Sequence, residues 1–399
     1  MIRETFLRFI YRAASMQRWN DHIRPHKGFT ELDKQAHKMF YAYVIGRFED
    51  ESSSSVNWTQ LIEGAIFEFF QRILLTDIKP PIFHMLMEKH GSQMNELVLK
   101  QLDELGINDI QAGFGSRMKR YLFEPEYSKR EKRILRAAHY LATNWEFNIV
   151  YRLSTDFFGL EDTKKSIDKQ LEEYRDTDGV QKLVFNKGAT DFLNLVGQLR
   201  FQQRWAQTPR VPETSVAGHM FIVAILSYIL TLQTTACEKR KYNNFFAGLF
   251  HDMPEVLTRD IISPVKNSIE GLGDLIKDIE DMQMEEVLLP LLPMEWRNEI
   301  RYFTENEFAG KIILDERILE VSSEKISEYY NRDSFSPVDG GIIEFCDKFA
   351  AYMEAYLSIK HGISSQNLKD GHKQLYEKFS KTKIAGMDAG MLFDYFKLW

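Results

Sequence analysis

From His251 to Asp260 the chain reads His-Asp-Met-Pro-Glu-Val-Leu-Thr-Arg-Asp, directly after the apolar run Ala247-Gly248-Leu249-Phe250. One imidazole and three carboxylates thus fall within ten positions of a segment otherwise patterned for burial. Ionisable groups are costly to bury unless something pairs with them. Two more lie in apolar helical patterns elsewhere: His219 in Gly218-His219-Met220-Phe221-Ile222-Val223-Ala224, and Asp347 in Ile342-Ile343-Glu344-Phe345-Cys346-Asp347-Lys348-Phe349-Ala350. A fold that buries these three segments has to give their ionisable groups a partner. A divalent metal ion satisfies imidazoles and carboxylates together.

The spacing places His251, Asp252 and Glu255 at i, i+1 and i+4 of a helix. His251 and Glu255 then share a face, and Asp252 reaches a metal from the helix edge. His219, His251, Asp252 and Asp347 are the predicted ligands. Two imidazoles and two carboxylates suit one borderline ion such as Mn²⁺, Co²⁺, Fe²⁺ or Zn²⁺ and leave positions open for water and substrate. Taken singly, His219 reads as a core histidine and Arg204-Trp205 as a salt bridge beside a packed indole. Only their combination with Glu255, Asp260 and Asp347 reads as a metal site.

Composition narrows the class. A chain of 399 residues predicts two or three domains. Glycine and proline number only 22 and 11, and strand-like alternation is nearly absent, so an all-α fold is expected. A net charge of -7 argues against binding a nucleic-acid backbone, and no nucleic-acid partner is expected. Cys237 and Cys346 form neither a disulfide framework nor a CxxC zinc site, which points to the cytoplasm. The start, Met1-Ile2-Arg3-Glu4-Thr5-Phe6, reads as an amphipathic helix rather than a signal peptide. The longest apolar run, Met220 to Leu232, is shorter than a membrane span, so no membrane partner is expected.

The first half echoes the second. Gln17-Arg18-Trp19 matches Gln203-Arg204-Trp205, His37 is set against His219, and Gly64 through Ile82 aligns without gaps on Ala247 through Val265. In that register Asp77 falls on Asp260. Ile134 to His139 then mirrors Ile342 to Asp347, after an insertion in the second copy around Phe308 to Gly341. The expected architecture is two tandem helical bundles packed as a pseudo-dimer within one chain: residues 1–158, a charged helical linker at 159–190, and residues 191–399. The first copy is degenerate. Glu68-Phe69 replaces His251-Asp252, Arg72 replaces Glu255 and His139 replaces Asp347, and Glu68 and Arg72 are spaced to pair with each other.

The order His219, His251-Asp252, Asp347 resembles the ligand pattern of the HD-domain metal-dependent phosphohydrolases. Arg204-Trp205, the run from His251 to Asp260, Pro264-Val265-Lys266 and Asp347 in an Ala- and Tyr-containing helix resemble the bacterial 5'-deoxynucleotidases within that superfamily. The resemblance covers roughly residues 199 to 362. It implies removal of the 5'-phosphate of deoxyribonucleoside monophosphates by attack of a metal-bound water, with one ion (Mn, Co, Fe, Zn or Mg). It implies that Arg204 binds the phosphate, that Trp205 crowds the sugar 2' position, and that Lys266 assists Arg204 with the phosphoryl charge. Glu255 and Asp260 become candidates for orienting the water and protonating the leaving oxygen. Dinuclear members carry extra histidines between the His-Asp pair and the last aspartate, and none occurs between His251 and His361. The small-molecule partner is thus a nucleotide, and a further homo-oligomer is compatible with the pattern. The alternatives are a deoxynucleoside triphosphate triphosphohydrolase and a nucleotide-sensing regulatory protein with a vestigial site.

Overall fold

The computed structural model of the chain describes residues 2–52, 55–76, 78–259, 261 and 269–398. Asp77, Asp260, Pro264, Val265 and Lys266 lie outside the described residues. The chain divides into two units, Met1–Leu193 and Asn194–Trp399.

The first unit contains α1 (Glu4–Ile10), α2 (Glu31–Asp50), α3 (Trp58–Leu75), α4 (Pro80–Leu105), α5 (Phe114–Phe123), α6 (Lys129–Leu153), α7 (Leu160–Glu172) and α8 (Asp178–Phe185). Thr30 starts α2 through a capping box: its side chain accepts from the Asp33 N–H, and the Asp33 carboxylate accepts from the Thr30 N–H. The buried α2 packs against α6 and α8, and α7 lies on α6. The charged segment 159–190 is therefore helical and packed onto this unit.

In the second unit, α9 (Val216–Leu232) is buried along its whole length, which is the physical content of the longest apolar run. Ser215 caps it, accepting from the Gly218 N–H. Beside it runs α10 (Glu238–Phe250). Where the two approach most closely, a Cβ on Gly248 would stand 3.0 Å from the Ala224 Cα. Glycine there sets the approach of the two backbones at the level of the candidate site.

The His251–Glu255 segment is not one continuous helix. The helix α10 ends at Phe250, turns occupy 251–254, and α11 (Glu255–Thr258) starts anew. Pro254 explains the break, since it offers no N–H and its ring would clash with the carbonyl of Phe250. After α12 (Leu272–Gln283) and α13 (Met294–Thr304) comes the one departure from an all-α fold among the described residues, an antiparallel hairpin. Its strands β1 (Lys311–Leu314) and β2 (Arg317–Glu320) pair Lys311 with Glu320 and Leu314 with Arg317. The connecting Asp315 and Glu316 both have positive φ, 49° and 62°, as a type I′ turn demands. This hairpin lies in the segment read as an insertion. Finally α14 (Gly340–Lys360), capped by Asp339, packs on α9, α10 and α15 (Gln366–Phe379). No described helix is long and apolar enough to cross a membrane.

Candidate metal centre

Three elements converge in the second unit. Helix α9 presents His219, the turn after α10 presents His251 and Asp252, and α14 presents Asp347. His219 Nε2 lies 2.9 Å from Asp347 Oδ1 and 3.9 Å from Asp252 Oδ2. His251 Nε2 lies 3.2 Å from Asp252 Oδ2 and 4.0 Å from Asp347 Oδ1. Ligand atoms of His219, His251 and Asp347 all fall within 4.8 Å of one another. His251 Nε2 is buried and makes no hydrogen bond of adequate geometry. A buried imidazole nitrogen facing two carboxylate oxygens and a second imidazole nitrogen fits a divalent ion; His219, His251 and Asp347 form the candidate cluster, with Asp252 Oδ2 beside both imidazoles.

The ligands are oriented from behind. His251 Nδ1 donates to the Gly248 carbonyl at 2.9 Å, which directs Nε2 into the centre. His219 Nδ1 faces Glu354 Oε1 at 3.4 Å. Burial works to raise the pKa of both aspartates, but neighbouring cations outweigh it. His251 and Arg204 hold Asp252 well below the usual carboxylate range. Lys348, with His219 and His251, does the same for Asp347. Both stay ionised, as ligands must. Burial would lower the His251 pKa, yet Asp252 and Asp347 raise it, so the pocket's field favours a positive charge at its centre.

Arg204 and Trp205 stand at this centre. Arg204 Nη1 reaches Asp252 Oδ2 at 3.2 Å. Trp205 has φ of 57°, an uncommon conformation for a bulky residue, and its indole N–H donates to Glu354 Oε2 at 2.9 Å. Such strain persists only where the surroundings over-determine it. Glu255 is buried at the first position of α11, immediately past the ligand turn. Asp260 and Lys266 fall outside the described residues.

Two contributors went unread in the sequence. Glu354, 2% exposed, accepts from Trp205 and Thr214 and faces His219, Arg204 and Arg210, the two arginines at 3.6 and 3.9 Å. Its only sequence signal is its position seven residues after Asp347, two helical turns along one face of α14. Lys348 Nζ donates to Asp347 Oδ2 at 2.6 Å. A lysine beside an aspartate on a helix carries no sequence signal of its own.

Several features of the first unit parallel this framework, with other residues at the ligand positions. Trp19 also has positive φ (55°), as do Thr76 (55°) and Arg259 (67°) at the matching helix ends. The bridge Gln17–Thr30 has its counterpart in Gln203–Ser215. Trp19 Nε1 and Arg18 Nε donate to Glu146 Oε2 at 2.8 and 2.9 Å, as Trp205 donates to Glu354. The caps Thr30 and Ser215 correct the expected register, because Lys34, not His37, stands four residues past the cap as His219 does. Lys34 Nζ lies 2.5 Å from His139 Nδ1, and burial pushes the pKa of both down. His37 instead donates through Nε2 to the Leu193 carbonyl at 3.0 Å and packs against Tyr41 and Trp145. Glu68 accepts from Lys38 and Tyr121, while Arg72 reaches Glu31 at 3.4 Å. An ammonium group, a phenyl ring and a histidine held by that ammonium do not fit a divalent ion.

Residues 196–376 match the family model of the HD domain, and the second unit is an HD domain. It is similar to 5'-deoxynucleotidases. That of Vibrio atlanticus (strain LGP32) is 29% identical over 123 residues, 30% of this chain and 63% of the relative. The 4'-phosphooxetanocin A phosphatase of Priestia megaterium is 36% identical over 84 residues, 20% of this chain and 43% of the relative. The dATP triphosphohydrolase of Acinetobacter phage SH-Ab 15497 is 38% identical over 105 residues, 23% of this chain and 51% of the relative. The chain thus spans between 43% and 63% of the length of these relatives.

Proposed function

We propose that the second unit is a metal-dependent phosphohydrolase that removes the 5'-phosphate of deoxyribonucleoside monophosphates. The observation that carries this reading is the convergence of His219, His251, Asp252 and Asp347 beside an arginine, Arg204, whose neighbour Trp205 is locked by Glu354. The 5'-deoxynucleotidase relatives support the substrate class. A divalent ion, which His219, His251, Asp252 and Asp347 would hold, would supply Lewis acidity toward the phosphoryl group and lower the pKa of the attacking water. Arg204 binds phosphoryl oxygens with its forked N–H groups and offsets the charge they gain. Trp205, fixed by its bond to Glu354, presents the indole to the sugar. Glu255, with Asp260, orients the water and returns a proton to the leaving 5' oxygen.

The first unit is, in this proposal, a duplicated copy of the same fold that holds no metal. Its repeated caps, positive-φ tryptophan and Arg18-Trp19-Glu146 cluster support the duplication. The test is phosphate release from deoxy- and ribonucleoside mono- and triphosphates by the full chain with Mn²⁺ or Co²⁺, and by Trp205→Ala. Deoxymonophosphate preference that narrows in Trp205→Ala supports the reading. Turnover of triphosphates alone replaces it with the triphosphohydrolase reading that the phage relative favours.

A further inference from the structure

Lys348 sits where a second phosphate-binding cation belongs, and we propose that it is one: a residue that contacts a phosphoryl oxygen of the substrate from the Asp347 side of the centre. The inference rests on the phosphohydrolase reading above and adds a residue to its substrate site. Lys348 pairs with Asp347 through Oδ2, not the Oδ1 that faces the histidines, whereas Arg204 pairs with the Asp252 oxygen nearest both histidines. Lys348 Nζ takes Asp347 Oδ2 at 2.6 Å, leaving Oδ1 to face His219, while Arg204 Nη1 takes Asp252 Oδ2 at 3.2 Å. Each ligand carboxylate is thereby paired with a side-chain cation. The charge of a divalent ion is then not spent on its ligands and stays available to an anion. The Lys348 side chain is 32% exposed against 13% for Arg204, so both cations have access to a bound molecule. A flexible four-carbon stem lets the ammonium group shift from a carboxylate to a phosphoryl oxygen without rebuilding the site.

The first unit serves as an internal comparison. It keeps Arg18, Trp19 and Glu146 as a hydrogen-bonded cluster although its residues at the ligand positions differ. At the position of Lys348 it carries Tyr140, one residue after His139, and Tyr140 stacks on Tyr174. The lysine is present where the ligands are present and absent where they are absent.

The experiment is calorimetric titration of the full-length, Mn²⁺-loaded protein with inorganic phosphate, for wild type, Lys348→Met and Lys348→Arg, with Mn²⁺ affinity measured in parallel. The expected result is that phosphate affinity falls about ten-fold or more in Lys348→Met and recovers mostly in Lys348→Arg, while Mn²⁺ affinity changes by less than about three-fold. Unchanged phosphate affinity in Lys348→Met overturns the inference and leaves the phosphohydrolase reading standing. A collapse of Mn²⁺ affinity in that variant also overturns it, since Lys348 then only positions Asp347. A wild type that binds Mn²⁺ but no phosphate overturns the reading itself.

Discussion

Replacing Glu354 by glutamine tests how the centre is supported. The carboxylate accepts from Trp205 Nε1 at 2.9 Å and Thr214 Oγ1 at 2.7 Å, and faces His219 Nδ1 at 3.4 Å, with its side chain 1% exposed. Burial works to raise its pKa, and Arg210, Arg204 and the His219 contact outweigh that and hold it ionised. Glutamine keeps the shape but removes the charge and points an N–H₂ group where two donors already point. Breaking a buried charge pair costs about 3–5 kcal/mol, and an isostere that keeps one hydrogen bond belongs at the low end, about 3 kcal/mol. For a unit of this size that is a fall in Tm of roughly 6–12 °C. Losing the orienting partner of a metal-binding histidine weakens metal affinity about 10–100-fold. Thermal unfolding and metal titration of Glu354→Gln measure both. Glu146→Gln is the control: Glu146 is fully buried against Arg18 and Trp19, so it should cost similar stability with metal affinity unchanged. Equal loss of metal affinity in the two variants, or a Glu354→Gln cost below about 1 kcal/mol, would contradict this supporting role of Glu354.

Metal analysis of the full chain should give one ion per chain, and Asp252→Ala should give none; metal retained by Asp252→Ala would show that Asp252 is not required to hold it. The pH dependence of stability should show His372. Burial pushes its pKa from the ordinary 6.5 down to about 4, and it stacks on Tyr352 with ring centroids 4.1 Å apart. A depressed histidine pKa leaves stability intact above about 6.5 and erodes it as pH falls toward about 4, because the unfolded chain takes a proton that the folded chain refuses. Urea midpoints for wild type and His372→Gln should converge across that window, and parallel curves would contradict the assignment.

The candidate cluster was legible because His219, His251 and Asp347 are ionisable groups in apolar segments, where burial leaves little choice of partner. The helical class was legible from composition. What escaped was local or long-range. Pro254 breaks the helix between Asp252 and Glu255, and this single residue overrides a periodic pattern on both sides. Four-residue strands joined by Asp315-Glu316 are too short to show alternation, and neither residue is the glycine or asparagine that usually marks such a turn. Matching His37 to His219 followed residue type, whereas aligning the helix caps Thr30 and Ser215 sets Lys34 against His219. Glu354 reads as a solvated residue because nothing local reveals that Trp205, Thr214 and Arg210 close around it.

In the proposed function, His219, His251, Asp252 and Asp347 hold an ion that the second unit uses to hydrolyse a deoxynucleotide phosphoester. The most direct test is phosphate release from a deoxynucleoside monophosphate by the full chain, stripped of metal, reconstituted with Mn²⁺, and carrying Asp252→Ala. Release by the reconstituted wild type alone is the expected result. Release by the stripped protein, or by Asp252→Ala at the wild-type rate, would contradict it.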